Sequence, residues 1–241
     1  MQIQKRNATP LFIAGFTSLF IFLIIAWGVQ LDAGWVQSLD MFWIDHIQAS
    51  ISDGKTSFIK LTTELGNIRL LIVLTILIVL TLFFVKRYVD GLWFGGTILF
   101  GAAIVTKLLK GYFDRDRPEF LQLIEKSNES FPSGHATGTT VFYMLLAVTL
   151  FLISTKLWQK VASLLIACLF VGYILFTRIY LGVHFPTDVF GGFFLGLAAV
   201  LISYGLYFIL RQFVHNILDR LKLRDESIPD EELGRYIRHR F

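Results

Sequence analysis

The polar residues with the greatest chemical potential lie in two short stretches, each against the end of an apolar run. The first runs from Lys107 and Lys110 through Asp114-Arg115-Asp116-Arg117-Pro118 to Pro132-Ser133-Gly134-His135. The second holds Thr177-Arg178 and then His184-Phe185-Pro186-Thr187-Asp188. An apolar helix is predicted to start just after Pro132-Ser133-Gly134-His135. Ser133 is a good N-cap, and Gly134 lets backbone N–H groups approach a ligand closely. A helix N-terminus presents free N–H donors and the positive end of a dipole, which together bind anions. Lys110, Arg117 and Arg178 would add cations from neighbouring helix ends, and guanidinium groups match phosphate oxygens in a two-pronged fork. The natural ligand is a phosphoryl group, which carries about two negative charges.

His135 and His184 stand at the mouths of predicted helices, and Asp188 follows His184 at helical spacing. Pro186 falls where the first turn of a helix tolerates it. Asp188 would accept a hydrogen bond from one ring nitrogen of His184, fixing the tautomer and leaving the other nitrogen as a nucleophile. His135 would protonate a leaving oxygen as general acid. Taken alone, these residues leave open which histidine attacks. His46 has no adjoining cation or glycine turn and is not a site candidate.

These residues need elements that bring them together, and the composition says which. Of 241 residues, 55% are hydrophobic and only 17% charged, with mean hydropathy +0.64. Soluble domains carry roughly 25% charged residues. A disordered chain, a disulfide-stapled mini-protein and a water-soluble nucleic-acid binder are excluded. The expected fold is all-α: a polytopic membrane protein whose six transmembrane helices cover 11–29, 68–85, 91–109, 138–153, 161–176 and 189–210. Arg69 opens the second span, where it would snorkel or face a polar cavity. The first span follows Lys5-Arg6, but its core is too long for a cleaved signal. Cys168 is the sole cysteine and lies in an apolar run, so it reads as a small buried hydrophobe.

Loop charge sets the topology. Lys86-Arg87, Lys156 and Lys160 mark short basic turns, whereas the loop 30–67 carries Asp32, Asp40, Asp45, Asp53 and Glu64 against Lys55 and Lys60. The positive-inside rule then puts both termini in the cytoplasm and both chemical stretches outside. Within that outer loop, Val36, Leu39, Phe42, Trp43 and Ile47 would share one helical face, with Asp40 at its boundary. The expected organisation is a six-span membrane domain over 1–210, an amphipathic outer-surface segment over about 34–60, and a solvated cytoplasmic tail over 211–241. A lipid tail would enter between the third and fourth spans or the fifth and sixth, and Gly101, Ala102, Ala103, Gly191, Gly192 and Gly196 would leave room near the site, although close helix packing is the commoner use of such residues.

Three blocks, in order, carry a resemblance: Lys110 to Arg117-Pro118, then Pro132-Ser133-Gly134-His135, then Arg178 to His184 and Asp188. They resemble the signature of the type 2 phosphatidic acid phosphatase family, the lipid phosphate phosphatases, which share their core site with vanadium haloperoxidases. The likeness covers about 61–210 and includes Thr62-Thr63-Glu64-Leu65-Gly66. Thr177 stands where the family often has serine, and both carry a hydroxyl. The resemblance implies that Lys110, Arg117, Arg178, Ser133 and Gly134 bind phosphate, that His184 attacks phosphorus to form a phosphohistidine, that Asp188 orients it, and that His135 protonates the leaving group. It implies no metal and no cofactor. It also implies a lipid phosphate substrate in a bacterial plasma membrane, of the undecaprenyl pyrophosphate, phosphatidylglycerol phosphate or phosphatidate class. Lys107, one turn before Lys110, would add to the field.

Other readings are weaker. Asp114 and Asp116 would make a poor Mg²⁺ site, because the interleaved arginines compete for them and few other oxygens are at hand; they would instead steer Arg115 or Arg117. A transporter would need charges within its spans, and here they sit at helix ends. A soluble haloperoxidase does not fit six spans. A lipid phosphotransferase would use the same site. Nothing in the sequence specifies an oligomeric state.

Overall fold

The structure is a computed structural model and describes residues 2–119, 122–124 and 128–227. The tail's acidic run Asp230-Glu231-Glu232 lies outside those residues. Among them the secondary structure is entirely helical. The helices are α1 (Gln2–Gln30), α2 (Gly34–Gln48), α3 (Asp53–Thr62), α4 (Ile68–Phe84), α5 (Tyr88–Ile98), α6 (Val105–Phe113), α7 (Gly134–Ile153), α8 (Leu157–Tyr180) and α9 (Pro186–Arg220). A π-helical turn, Leu99–Ile104, joins α5 to α6, and a 3₁₀ turn, Thr63–Gly66, links α3 to α4.

Among the described residues five helices are long and apolar enough to cross a bilayer: Ala8–Gln30, Tyr88–Phe113, Gly134–Ile153, Leu157–Tyr180 and Pro186–Arg220. The span expected over 68–85 is α4. It has 17 residues, roughly 26 Å of helix against a hydrocarbon core of about 30 Å. With the α3 segment, at a 41° bend, it makes the sixth. The outward faces carry Phe16, Phe20, Trp27, Ile76, Leu80 and Leu169, all exposed. Such a girdle suits hydrocarbon, in which only helices and closed barrels satisfy their backbone. The protein is a multi-pass membrane protein.

The centre of the bundle is α7, which packs against α8 and α9, while α1 lies along α9. Its Val141 and Leu145 are buried in one core with Leu71, Ile98, Val171 and Val200. Small residues bring these helices close. A Cβ on Gly192 would stand 2.7 Å from the Ser133 carbonyl oxygen, and one on Gly196 would stand 2.9 Å from Thr140 Cβ. Gly191 faces the ring of Phe131, and Gly101 faces Ala199. These four glycines stand at close contacts, the commoner of the two uses expected for such residues.

α2 buries Val36, Asp40, Ile44 and Gln48, whereas Phe42 and Trp43, of the apolar face expected to lie on the membrane surface, are exposed. The helix has turned a polar stripe inward because Asp40 and Gln48 find partners there: Thr187 for Asp40, and the Ile179 carbonyl for Gln48 Nε2. α2 thus caps the ends of α8 and α9. Two features close the opposite end. Lys86 turns the chain between α4 and α5 with φ 56°. The segment after α9 folds back onto that turn, where Glu226 N–H donates to the Lys86 carbonyl.

Candidate active site

Both chemical stretches arrive at one end of the bundle, around a cavity of about 690 Å³. Its walls are the start of α4 (Ile68, Arg69), the π turn and α6 (Ala102, Ala103, Thr106, Lys107, Lys110), the start of α7 (Gly134, His135), the loop residues Arg117, Asn128 and Glu129, and Arg178 and His184. It lies where α6 meets α7, one of the two gaps expected for a lipid tail, with α4 as a third wall. Arg69 and Lys107 both face it.

Local chemistry places each side chain. Ser133 caps α7, its hydroxyl accepting the Ala136 N–H at 3.4 Å. It is fully buried behind Gly134 and is not part of the cavity wall. Lys110 reaches across to the loop, donating from Nζ to the Glu129 carbonyl and, at 3.4 Å, to the Ser130 carbonyl. Asp114 ends α6 in the left-handed region, φ 43°, and so turns the chain back toward the site.

Arg178 is 3% exposed. Its Nη1 donates to Thr63 Oγ1 at 2.9 Å, and Thr63 in turn pairs with Thr177 Oγ1 at 2.8 Å. Its buried Nε has no hydrogen-bond partner among the described residues, which leaves a donor for a ligand oxygen. The buried hydroxyl of Thr106, in the cavity wall one turn before Lys110, is likewise unpartnered.

His184 is 2% exposed, and its two nitrogens face different worlds. Nε2 lies 3.2 Å from Arg117 Nη1. Arginine only donates, so Nε2 accepts and carries the lone pair. Nδ1 then bears the proton. It points at Ser130 Oγ, 3.3 Å away, and at Asp188 Oδ2, 3.6 Å away. Ser130 Oγ passes its own proton to the same Asp188 oxygen, which also accepts the Phe185 N–H at 2.8 Å. Burial, reinforced by the Arg117 charge, pulls the His184 pKa down to about 3 against the opposing effect of Asp188. The ring is neutral, with Nε2 toward the cavity.

The arginines do not take the partners expected from sequence. Arg117 is fixed by Asn128, through the backbone carbonyl at 2.6 Å and Oδ1 at 3.0 Å, and by the Val183 carbonyl. Burial lowers its pKa. Arg115 bridges Asp188 and Asp40. Among the described residues Asp114 and Asp116 hold neither arginine: Arg115 finds carboxylates far along the chain, and Arg117 finds Asn128 and the Val183 carbonyl. Ser130, Thr63, Arg115 and Asp40 escaped the sequence reading as site residues, since only three-dimensional neighbourhood links them to His184 and Arg178. No group of acidic, histidine or cysteine side chains suited to hold a metal ion occurs among the described residues. The cations can hold an anion, and a neutral, oriented histidine can attack it.

Fold and cavity together define a membrane-embedded helical phosphatase. The family model described as the PAP2 superfamily matches residues 90–212. The chain is 34% identical to phosphatidylglycerophosphatase B of Bacillus subtilis over 218 residues, 83% of this chain and 95% of that one. It is 36% identical over 84 residues to an undecaprenyl-diphosphatase of Sulfolobus acidocaldarius, 35% of this chain and 36% of the relative. The crystal structure of a transmembrane PAP2 type phosphatidylglycerolphosphate phosphatase from Bacillus subtilis superimposes with a TM-score of 0.74, at 30% identity, over 83% of this chain and 98% of that one. The chain belongs to the PAP2 superfamily and is a lipid phosphatase.

Proposed function

We propose that this protein hydrolyses phosphatidylglycerophosphate or undecaprenyl diphosphate at the outer face of a bacterial plasma membrane, through a phosphohistidine on His184. The observation that carries the reading is the orientation of His184, whose unprotonated Nε2 faces a cavity walled by Lys110, Arg117 and Arg178. The two relatives named for these substrates support the lipid class.

The three cations would hold the phosphoryl oxygens, with N–H groups at the start of α7 beside Gly134. Nε2 attacks phosphorus, and the bond from phosphorus to the leaving oxygen breaks. His135 gives that oxygen its proton. Asp188, through Ser130 and directly, offsets the positive charge that builds on the ring. Water then attacks the phosphohistidine and gives a proton to His135; the phosphorus–nitrogen bond breaks, and phosphate leaves. Lipid would enter sideways between the start of α4 and α6, beside the partly exposed Ile68 and Ala103.

The domain reading follows: a membrane unit with its phosphatase core over about 61–210, an outer cap over about 34–60, and a cytoplasmic tail. A phosphate-release panel on the purified protein in detergent tests the substrate class. Phosphatidylglycerophosphate and undecaprenyl diphosphate should release phosphate. Release from soluble sugar phosphates and from no lipid would refute the assignment.

A further inference from the structure

Behind His184 and Asp188 lie two charges that the chemistry above leaves unused, Asp40 and Arg115. Asp40, on α2, is 2% exposed, and Asp188 is fully buried. One guanidinium serves both carboxylates. Arg115 Nη1 donates to Asp188 Oδ1 at 2.6 Å and to Thr187 Oγ1 at 2.8 Å, while Nη2 donates to Asp40 Oδ2 at 2.9 Å. Asp40 also accepts the Thr187 N–H at 2.8 Å and the Thr187 hydroxyl at 2.9 Å. The guanidinium lies over the Phe185 ring, 4.3 Å from its centroid. Asp40 stands outside the matched segment 90–212, so this clamp reaches into the family core from the surface cap.

We propose that Asp40 and Arg115 are a positioning pair that holds Asp188 behind His184 and balances its charge, so that a residue of α2 sets the rate of phosphoryl transfer. The proposal rests on the reading of His184 as nucleophile. Arg115 fixes the Asp188 carboxylate from the side opposite Ser130. An arginine paired with Asp188 alone would neutralise it and blunt its answer to the charge growing on the imidazole. Asp40 draws part of the guanidinium charge away, and buried ions need such partnering to be tolerated at all. An ion pair that merely stabilised the fold would change the amount of folded protein and leave the turnover of that protein alone.

The test is steady-state phosphate release from short-chain phosphatidylglycerophosphate in detergent, normalised to the monodisperse fraction. Asp40→Asn should lower kcat about tenfold with KM nearly unchanged, the size of coupling found within one buried charge network. Asp40→Glu should recover part of the loss. Arg115→Lys, which keeps the charge and loses the fork, should fall similarly, and the double variant should be no worse than the poorer single one. Unchanged kcat in Asp40→Asn, a rise in KM alone, or losses that multiply would overturn the proposal. Should Asp40→Asn not fold, Arg115→Lys decides alone, and an unchanged kcat there overturns it. His184→Ala is the separate control: activity retained in that variant would defeat the reading of His184, whatever Asp40→Asn does.

Discussion

At the scale of single residues, the account depends on a histidine kept neutral by burial. The unfolded chain binds a proton at His184 near pH 6.5, and the folded protein does so only near 3. Between those values the unfolded state holds the extra proton, so the neutral ring's contribution to stability is complete above pH 6.5 and declines as pH falls toward 3. The slope is at most about 1.4 kcal/mol per pH unit. His184→Asn removes the effect, so thermal unfolding in detergent should show the stability of wild type relative to the variant falling between pH 7.5 and pH 5. A difference independent of pH would mean that His184 is not buried and neutral. Substitution should also separate the roles in turnover. Asp188→Asn should lower kcat by a factor on the order of a thousand or more, with little change in KM, since it acts on the tautomer and charge of the nucleophile. His135→Ala should cost lipid substrates most and an activated aryl phosphate least, because a good leaving group needs no proton. Equal, mild losses for both substrates would remove His135 as the acid.

The site was legible in sequence to the extent that types and spacing carry it. Lys110, Arg117, His135, Arg178 and His184 announce themselves as cations and histidines near helix ends, Gly134 as the small residue at a helix start, and all of them line the cavity. Asp40 did not, because its partner Thr187 is 147 residues away. Ser130 did not either; a serine in a loop has no signature until His184 and Asp188 close around it.

At the scale of elements, helix apposition is what shapes the cavity end. The Gly192 contact with the Ser133 carbonyl sets the seat of α7. Gly192→Ala should destabilise the protein by roughly 1–3 kcal/mol through overpacking. Gly172→Ala, where an added Cβ meets nothing within 4 Å, should be neutral or stabilise by roughly 0.5–1 kcal/mol. Melting temperatures in detergent distinguish the two, and equal shifts would show that α7 and α9 are not in close contact. The sequence showed the long spans plainly, since composition over about twenty residues outweighs local detail. It put Asp40 only at the boundary of the α2 apolar face, because hydrophobic periodicity takes no account of the Arg115 and Thr187 groups that make burying a carboxylate tolerable.

At the scale of the whole molecule, the turns holding Lys86 and Lys156 are at the end away from the cavity, which the positive-inside rule assigns to the cytoplasm. An impermeant amine reagent on intact cells should therefore leave Lys156 unlabelled until the membrane is opened; labelling from outside would invert the topology. If Lys110, Arg117 and Arg178 hold the phosphate as proposed, no added cation is needed, and EDTA should leave turnover nearly intact. Vanadate should inhibit by mimicking the five-coordinate transition state. Strict dependence on Mg²⁺ would return the acidic residues of the 114–119 loop to consideration. The central claim, a covalent phosphoryl group on His184, is tested most directly by quenching the enzyme with phosphatidylglycerophosphate during turnover under alkaline conditions and mapping the phosphoryl group by mass spectrometry. The account predicts it on the His184 peptide in the wild type and on no peptide in a His184→Ala variant. A phosphoryl group on His135 or on any other residue would contradict it.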